Sequence, residues 1–325
     1  MAKVKTFKTI FPAVSVPLND DYSINEPEFR AYLRWIKTFY GKGMDGLVCN
    51  GHTGEITGLT RAERKRVVEI CAEECGDVMT IISGVNCEYS AESIEMAKEA
   101  KEAGADGILL MPPHMWLRFG MNPDAPFEYV KDVAEGADID IIIHLYPATS
   151  KAFYPVETLI KMCKEIDHVK CIKMGTRVTS IYEHDVRLLR QECPDISLIT
   201  CHDETLCVSW FPGMDGALIG FAGCVPEIIC PAREVFANPD KHTLKEAQDW
   251  SDRIYHISQA IYGGGQPSGE AHARLKEALK QRGIFSSALM RKPVLPLNQE
   301  EKDWVALGLE RSQLPEVDMT QFEDK

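Results

Sequence analysis

Residues 139–173 read IDIIIHLYPATSKAFYPVETLIKMCKEIDHVKCIK and contain one complete structural unit. The apolar run at 139–145 predicts a buried strand, and a second apolar run at 169–173 predicts another. Between them, beginning near Pro155, apolar residues recur at the i, i+3, i+4, i+7 spacing of a helix face: Val156, Leu159, Ile160 and Cys163. Two strands separated by such a helix are expected to lie parallel in one sheet.

The same unit recurs along most of the chain. Eight short apolar runs, each followed by a segment typical of a helix, occupy 10–16, 46–49, 79–85, 107–111, 139–145, 169–173, 196–200 and 216–219. Thr60 and Glu63 have the spacing of a capping box at the start of one such helix. Eight parallel strands with crossover helices close into a barrel, so residues 8–236 are predicted to form a TIM (β/α)8 barrel. A doubly wound open sheet is the alternative, but no Gly-x-Gly-x-x-Gly sequence follows the first strand.

The pattern changes after the eighth unit, where only helical segments follow. They are predicted at 243–261, at 268–281 and near 299–309. Residues 237–325 are therefore expected to form a helical C-terminal extension of the α/β barrel. The three glycines at 263–265 are interpreted as a flexible connector between two of these helices, because no strand precedes them to make a phosphate-binding loop.

Composition narrows the possible partners. The chain has 325 residues, of which 45% are hydrophobic and 26% charged, the balance of a globular protein. Its 36 basic and 49 acidic residues give a net charge of −13, which provides no general attraction for nucleic acid or an anionic membrane. The longest apolar runs are far shorter than the roughly 20 residues that cross a bilayer, and residues 1–16 lack a signal-peptide pattern. We expect a cytoplasmic protein with neither nucleic acid nor membrane as a partner.

The cysteines agree with a reducing compartment. There are eleven of them, an odd number in a long chain, and several lie in apolar segments, as Cys71, Cys163 and Cys171 do. This usage differs from the disulfide framework of a small secreted protein. Reduced and mostly buried thiols are predicted.

Polar side chains follow the predicted strands at their C-terminal ends, where TIM barrels carry out their chemistry. Lys173 closes an apolar run, and burial there favours the neutral amine, a nucleophile that can form a Schiff base with a ketone. The alternative is a charged lysine that reaches solvent at the end of its strand. Arg177, just beyond it, is interpreted as a solvated residue at the start of a helix. His202, Asp203 and Glu204 are interpreted as a helix N-terminal cap.

The loop after the second strand reads Gly51-His52-Thr53-Gly54-Glu55. The glycines permit a tight backbone turn whose N–H groups can bind an anion such as a carboxylate, with the Thr53 hydroxyl as a further donor. A 2-oxo acid combines such a carboxylate with a ketone that Lys173 can capture. The alternative is a simple turn in which Glu55 caps a helix.

These residues give the chain a resemblance to the dihydrodipicolinate synthase and N-acetylneuraminate lyase family of pyruvate-type class I aldolases. The resemblance covers about 8–310 and is carried by the loop at 51–55, by Lys173 and by Gly-Ala-Leu-Ile-Gly at 216–220. It implies a TIM barrel with a helical extension, an imine at Lys173, and a carboxylate bound by Thr53 and the Gly51 to Gly54 amides. It places Gly220 among the substrate-binding residues. It also implies a homotetramer that uses neither metal nor organic cofactor.

The chain departs from the family pattern at several positions. The family has a proton-shuttling tyrosine three residues before the proline of strand five, and this chain has His144 before Pro147. His52 replaces the first of two paired threonines, and Pro113 or His114 replaces a tyrosine. Thr149 stands where the synthases have an arginine that binds the second substrate. Imidazole can exchange protons near neutral pH, so His144 is expected to act as the acid and base, assisted by His52.

Tyr146 is the reserve candidate for this acid–base role, although we expect strand alternation to aim its phenol in another direction. The loop at 113–119 is apolar and aromatic, and it resembles that of hydratase-aldolases that cleave aromatic aldehydes from arylidene pyruvates. The resemblance predicts that His114 and Trp116 contact the aldehyde half of the substrate. The alternative is that this loop packs at a subunit interface.

The sequence thus predicts an aldolase or hydratase-aldolase that makes or cleaves a carbon–carbon bond between pyruvate, or a related 2-oxo acid, and an aldehyde. Dehydration of a deoxy sugar acid, or condensation like that of dihydrodipicolinate synthase, can proceed through the same imine. A 2-oxo acid binding protein without catalysis is an alternative of another class. A metal-dependent barrel enzyme is a further one, with ligands from His52, His114, His144, His202, Asp203 and Glu204.

Overall fold

The computed structural model describes residues 3–263 and 269–324, and these contain eight strands. The strands are β1 (Ile10–Pro12), β2 (Gly46–Cys49), β3 (Thr80–Val85), β4 (Gly107–Leu110), β5 (Asp140–His144), β6 (Val169–Met174), β7 (Ser197–Thr200) and β8 (Gly216–Ile219). All are parallel in one sheet of order β1-β8-β7-β6-β5-β4-β3-β2. The outer strands meet where the Val14 N–H donates to the Val48 carbonyl at 2.9 Å. The sheet is therefore a nearly closed barrel, and the predicted TIM fold is confirmed.

Twelve α-helices accompany the strands in the described part of the chain. They are α1 (Glu26–Lys37), α2 (Arg61–Cys75), α3 (Ser90–Glu102), α4 (Met115–Phe119), α5 (Ala125–Ala137), α6 (Val156–Glu165), α7 (Thr179–Glu192), α8 (Leu206–Trp210), α9 (Pro226–Ala237), α10 (Leu244–Tyr262), α11 (Gly269–Gln281) and α12 (Gln299–Arg311). A helix lies between every strand and the next, as parallel strands require. Helix α4 falls in a segment that the sequence predicts as a loop.

The barrel interior is filled by one side chain from each strand. These side chains form a buried cluster: Phe11, Val48, Ile82, Leu109, Ile142, Cys171, Ile199 and Leu218. Because side chains alternate along a strand, residues two positions later face the same way, one layer nearer the C-terminal end. His144 follows Ile142 by two positions, and Lys173 follows Cys171 by two. Alternation therefore points both side chains into the mouth of the barrel.

Local signals position the barrel helices. Thr60 accepts from the Glu63 N–H at 3.2 Å, and the Glu63 carboxylate accepts from the Thr60 N–H at 2.8 Å, so the predicted capping box is confirmed. Pro155 is the residue that precedes α6. Beyond β7, a 3-10 turn at Asp203–Thr205 precedes α8.

Helices α10, α11 and α12 follow the barrel and pack on it. Arg282, just after α11, is almost fully buried, and its guanidinium bonds the Glu227 carboxylate at 2.7 Å, at the start of α9. A buried ion pair and several backbone contacts of this kind fix the helices against the barrel. The predicted glycine connector lies in part outside the described residues, since 264–268 are not described.

Two further predictions concern membrane-spanning helices and the state of the cysteines. In the described segments, 3–263 and 269–324, no helix is long and apolar enough to span a membrane. All eleven cysteines are free thiols, and every one except Cys163 is buried, as predicted.

Candidate active site

A cavity of about 410 Å³ opens at the C-terminal mouth of the barrel. Its wall includes residues from the strand ends and from the helical extension: His52, Thr53, His114, His144, Tyr146, Lys173, Asp203, Gly220, Tyr262 and His272. Of the residues predicted from the sequence to form the site, all except Gly54 and Trp116 line this cavity.

Lys173 stands near the centre of this wall, at the end of β6. It is the register partner of His144 on β5, so the two side chains are neighbours on the inner face of the sheet. Among the described residues, the Lys173 ammonium has neither a hydrogen-bond nor an ion-pair partner. Burial is the main cause that lowers the pKa of Lys173, opposed by the nearby Cys201 and Asp203. An amine of this kind is a suitable nucleophile for a ketone.

The loop at 51–55 turns tightly, but its glycines do not take the left-handed backbone positions. These belong to Asn50 and Glu55, with φ of 51° and 55°. Gly54 is required for close approach instead, since a Cβ there would lie 3.0 Å from the Val14 carbonyl oxygen. A Cβ on Gly51 would meet nothing nearer than 3.9 Å. Gly54 is therefore required for close packing and Gly51 is not. Neither glycine supplies the backbone freedom that the sequence suggested for both.

The same loop presents unused donors to the cavity. The Glu55 and Ile56 N–H groups bond the His52 and Gly51 carbonyls at 3.0 and 3.2 Å and close the turn. Within the described residues, the N–H groups of His52, Thr53 and Gly54 make no backbone hydrogen bond. These amides, with the Thr53 hydroxyl, can bind a carboxylate.

Gly220 leaves room for Thr53. A Cβ at position 220 would lie 2.7 Å from the Thr53 Oγ1 and 3.0 Å from the Leu275 Cδ1. The end of β8 thus comes close to the carboxylate-binding loop only because residue 220 has no side chain.

Glu55 is not a helix cap, and this corrects the alternative reading of the loop. It precedes a short 3-10 turn at Ile56–Gly58, but its side chain makes no capping bond. Its carboxylate instead forms a buried ion pair with Lys276 of α11 and accepts from the Arg291 N–H at 3.2 Å. Lys276 also donates to the Leu289 carbonyl at 2.9 Å. The helical extension thereby holds the end of the carboxylate-binding loop.

Four rings on the β2, β4 and β5 side of the cavity form what we term the His–Tyr cluster: His52, His114, His144 and Tyr146. The Tyr146 hydroxyl lies 2.8 Å from the His114 Nε2 and 3.3 Å from the His52 Nε2. A phenol has one proton, so it donates to one imidazole and accepts from the other. The His144 ring packs edge-on against Tyr146 with 4.9 Å between centroids. The cluster can therefore pass a proton between neighbouring rings.

Tyr146 thus lies in the cavity, contrary to the expected direction of its phenol. Positions 144 and 146 are two apart, so alternation keeps them on one side, and the chain beyond β5 preserves this relationship.

Burial keeps His52, His144 and Tyr146 uncharged near pH 7. It lowers the pKa of His52 to about 3 and that of His144 well below its usual value, and the Lys173 charge lowers both further. Burial raises the pKa of Tyr146. The His144 Nδ1 is buried with no hydrogen-bond partner among the described residues. A neutral imidazole can accept a proton and a protonated phenol can donate one.

The cavity wall also contains Asp203, Tyr262 and His272. The Asp203 carboxylate accepts from the Phe221 N–H at 2.9 Å and interacts with the Tyr262 hydroxyl. Burial raises the pKa of Asp203 to about 6. His202 is the N-cap of the 3-10 turn at Asp203–Thr205, and Asp203 and Glu204 lie in its first turn, as predicted, although His202 makes no side-chain capping bond.

Arg177 is also placed differently from its predicted position. It is not solvated but largely buried, and its Nε bonds the Glu204 carboxylate at 2.6 Å. His202 and Glu204 line a separate cavity beside the active-site cavity. In residues 3–263 and 269–324, no three His, Cys, Asp or Glu side chains are grouped to hold a metal ion.

Trp116, like Gly54, is a predicted site residue that does not line the cavity. It lies on α4 and packs edge-on against Tyr129 and Tyr154, with centroid distances of 5.8 and 6.2 Å. Its neighbour Leu117 lines the cavity instead. The expectation that Trp116 contacts the substrate is therefore corrected, because the helical turn of α4 directs residues 116 and 117 to different sides.

Three residues near the cavity had no motif to identify them: Tyr262, His272 and Lys276. All belong to the extension, far in sequence from the barrel strands. The only sequence signal was the placement of His272 and Lys276 four residues apart, which puts them on one face of α11.

The fold and the cavity together define a class. A TIM barrel with an unpartnered, buried lysine beside proton-exchanging side chains is suited to the chemistry of a class I aldolase. The chain matches the Dihydrodipicolinate synthetase family over residues 6–311 and belongs to that family. This membership confirms the predicted enzyme class, a carbon–carbon lyase of the class I, pyruvate-dependent aldolase type.

Individual relatives are distant. The chain is 26% identical over 309 residues to a 4-hydroxy-tetrahydrodipicolinate synthase of Bartonella bacilliformis, covering 94% of this chain and 98% of the relative. It is 25% identical over 292 residues to an uncharacterised DapA-like lyase of Thermofilum pendens, covering 89% and 92%. A crystal structure of Escherichia coli K12 YagE, a dihydrodipicolinic acid synthase family protein in complex with pyruvate, superposes with a TM-score of 0.85. It is 20% identical and covers 95% of this chain and 100% of YagE, a likeness of fold.

Proposed function

We propose that this protein makes or cleaves a carbon–carbon bond between pyruvate, or a related 2-oxo acid, and an aldehyde through an imine on Lys173. The observation that carries the proposal is the unpartnered Lys173 amine, which faces the same cavity as the donors of the 51–55 loop. A 2-oxo acid has a carboxylate for those donors and a ketone for the amine. The pyruvate complex of YagE supports this choice of substrate.

Binding orients the ketone toward the amine. The carboxylate accepts from the free N–H groups of His52, Thr53 and Gly54 and from the Thr53 hydroxyl. The Lys173 nitrogen then adds to the keto carbon to give a carbinolamine. Its hydroxyl accepts a proton and leaves as water, and the C=N bond of the imine forms.

The His–Tyr cluster supplies the proton transfers. His144 is the register partner of Lys173 on the neighbouring strand and acts as acid and base. Tyr146 relays protons between His52 and His114, to which its hydroxyl is bonded. The acid–base role predicted for His144 thus extends to the whole His–Tyr cluster.

The protonated imine then serves as an electron sink. Loss of a proton from the methyl carbon gives an enamine, whose carbon adds to the aldehyde, while the aldehyde oxygen gains a proton. In the cleavage direction the same steps run in reverse. Hydrolysis of the final imine frees Lys173.

Borohydride trapping tests the imine directly. Reduction in the presence of pyruvate should attach one reduced pyruvyl group permanently to Lys173, located by peptide mass spectrometry. Lys170→Arg is a matched control because Lys170 is exposed on the same strand, and labelling should persist in it. Lys173→Arg should abolish labelling. Absence of labelling in the unaltered protein, or labelling of another lysine, contradicts the proposal.

The reaction that follows the imine is tested with a substrate panel. Pyruvate is offered with aliphatic, sugar and aromatic aldehydes, and a deoxy sugar acid is offered alone. An aldol product supports the proposal. If the only product is a dehydrated one, the dehydratase alternative is favoured. If pyruvate binds but its methyl protons do not exchange with deuterium, the non-catalytic alternative is favoured.

We further propose that the protein is a cytoplasmic homotetramer. The eleven free cysteines suit a reducing compartment. Two apolar side chains, Val208 on α8 and Phe211 just after it, are 60% and 65% exposed. They are suited to packing against a second copy of the chain. Light scattering should give about four times the 36.5 kDa chain mass, and a monomeric mass contradicts the assembly.

A further inference from the structure

Helix α11 carries a histidine into the cavity from outside the barrel. His272 lies in the first turn of this helix and lines the cavity wall. One turn later Lys276 forms the buried ion pair with Glu55, and Leu275 packs close to Gly220. Two contacts with the carboxylate-binding region thus fix the orientation of α11. His272 is consequently held in a defined position at the mouth of the barrel.

The His272 imidazole is neutral and available for a ligand. Burial lowers its pKa, and Lys173 and Lys276 lower it further while Glu55 opposes them. In the described segments, the ring has no hydrogen-bond partner. The neighbouring polar groups are already engaged: Asp203 accepts from the Phe221 N–H, and Arg177 is paired with Glu204. His272 is therefore a free polar group of the cavity wall.

His272 comes from a different part of the chain than the His–Tyr cluster. The cluster comes from β2, β4 and β5, whereas His272 comes from α11, which contacts Glu55 beyond β2 and Gly220 beyond β8. Lys173, on β6, lines the same cavity as both. An imine on Lys173 would therefore share the cavity with the cluster and with one further imidazole.

Two oxygens change during the proposed reaction. One is the keto oxygen of pyruvate, which leaves as water when the imine forms. The other is the aldehyde oxygen, which becomes a hydroxyl when the carbon–carbon bond forms. The two steps follow one another on different oxygens, and His272 is a cavity imidazole outside the hydrogen bonds that Tyr146 makes in the cluster.

We propose that His272 binds the oxygen of the aldehyde half and transfers its proton. This inference rests on the proposed function of Lys173. In cleavage, the imidazole takes the proton of the C4 hydroxyl, and the O–H electron pair forms the aldehyde C=O. The C3–C4 bond breaks, and its electron pair moves to the protonated imine to give the Lys173 enamine. In condensation the imidazolium returns the proton to the new alkoxide.

The test separates the two halves of the reaction. Imine formation is measured by borohydride trapping with pyruvate, and enamine formation by deuterium exchange of the pyruvate methyl protons. Bond formation is measured with pyruvate and either glyceraldehyde or benzaldehyde. The variants are His272→Ala and His272→Asn, with His184→Asn as control because His184 is exposed on α7.

Both His272 variants should trap pyruvate and exchange its protons within about twofold of the unaltered protein. Their kcat for bond formation should fall about 10²-fold or more, the usual contribution of a positioned acid–base group. His272→Asn retains a hydrogen bond, so it should keep the KM for the aldehyde, whereas His272→Ala should raise it. The His184 variant should behave as the unaltered protein does.

Other outcomes overturn the assignment. Equal losses of trapping, exchange and bond formation indicate a merely structural role for His272, and full turnover in His272→Ala excludes any role. Methyl exchange without condensation of either aldehyde, by the unaltered protein, also contradicts the inference. Failure of the unaltered protein to trap pyruvate instead refutes the proposed function of Lys173.

Discussion

Lys276 of the helical extension forms a buried ion pair with Glu55 of the 51–55 loop. Glu55 holds a left-handed backbone conformation, with φ of 55°, that is unfavourable for a residue other than glycine. The ion pair and the Arg291 N–H, 3.2 Å from the carboxylate, hold it there. The extension is therefore part of the structure that shapes the carboxylate-binding loop, and not a separate appendage.

Replacement of Lys276 by methionine should destabilise the protein strongly. It leaves the Glu55 carboxylate buried without its cation, which typically costs about 3–5 kcal/mol. The free energy of unfolding in urea measures the effect. Lys280→Met is the matched control, since Lys280 is exposed on the same helix, and should change little.

The double variant Glu55→Gln with Lys276→Met sharpens this prediction. It removes both charges, so it should recover a large part of the stability lost in Lys276→Met. If the stability lost in the double variant equals the sum of the losses in the two single variants, the pair is not coupled.

Gly220→Ala should weaken pyruvate binding. The new Cβ would lie 2.7 Å from the Thr53 Oγ1, so the threonine must move away from the position where it donates to the carboxylate. Loss of one hydrogen bond to a charged group corresponds to about a tenfold rise in the Kd for pyruvate. Gly51→Ala, whose Cβ meets nothing nearer than 3.9 Å, should bind pyruvate normally. Equal affinities of the two variants would contradict this account of the loop.

Tyr146→Phe should slow proton transfer while keeping an aromatic ring in the cavity. The hydroxyl connects the His114 and His52 imidazoles at 2.8 and 3.3 Å, and phenylalanine keeps the ring while breaking both bonds. We expect deuterium exchange of the pyruvate methyl protons, followed by NMR, to slow about 10²-fold. Tyr89→Phe is the control, because Tyr89 is 69% exposed. An unchanged exchange rate would leave His144 as the acid and base without the relay.

Leu117 and Trp116 should differ in their effect on the aldehyde. Leu117 lines the cavity, so Leu117→Ala should raise the KM for benzaldehyde several-fold through lost apolar contact, of about 1 kcal/mol. Trp116 packs on Tyr129 and Tyr154, so Trp116→Phe should leave that KM within twofold. The reverse ranking would restore Trp116 as a substrate contact.

Stability should fall as the pH decreases from 7 to 5. The pKa of His52 is lowered to about 3 and that of His202 to about 4, and His144 is lowered as well, each mainly by burial. Below pH 6.5 the unfolded chain binds protons at these sites and the folded chain does not, which favours unfolding. Each histidine contributes up to about 1.4 kcal/mol per pH unit.

Asp203 acts in the opposite direction in part of this range. Burial raises its pKa to about 6, so its contribution is present at low pH and is lost as the pH rises through 6. Asp185 acts in the same direction as Asp203, since burial raises its pKa to about 6 as well. The three histidines outweigh these two carboxyls, and stability measured by urea unfolding should decrease on acidification. His202→Gln, outside the active-site cavity, should reduce the pH slope by about one proton. A slope that stays the same would show that His202 is protonated in the folded state.

The barrel was predictable because its signals are local. The segments 46–49 and 216–219 coincide with the observed β2 and β8, since short apolar runs between polar turns are required wherever a strand is buried on both faces. Lys173 was identifiable for the same reason, since it ends the run at 169–173, whereas His144 was identified by the family resemblance, from its position three residues before Pro147. Trp116 was misplaced because five residues of α4 are too few to show a helical period.

Periodicity and spacing along the chain were sufficient for the eight-stranded fold, for the lysine at its mouth and for the loop that can bind a carboxylate. They were not sufficient for His272, for the Lys276–Glu55 pair or for the hydrogen bonds of Tyr146. The Tyr146 hydrogen bonds and the Lys276–Glu55 pair join residues separated by 32 to 221 positions. Side chains so distant in sequence become neighbours only when the barrel closes and α11 packs across its mouth, because burial and not local pattern decides which of them meet.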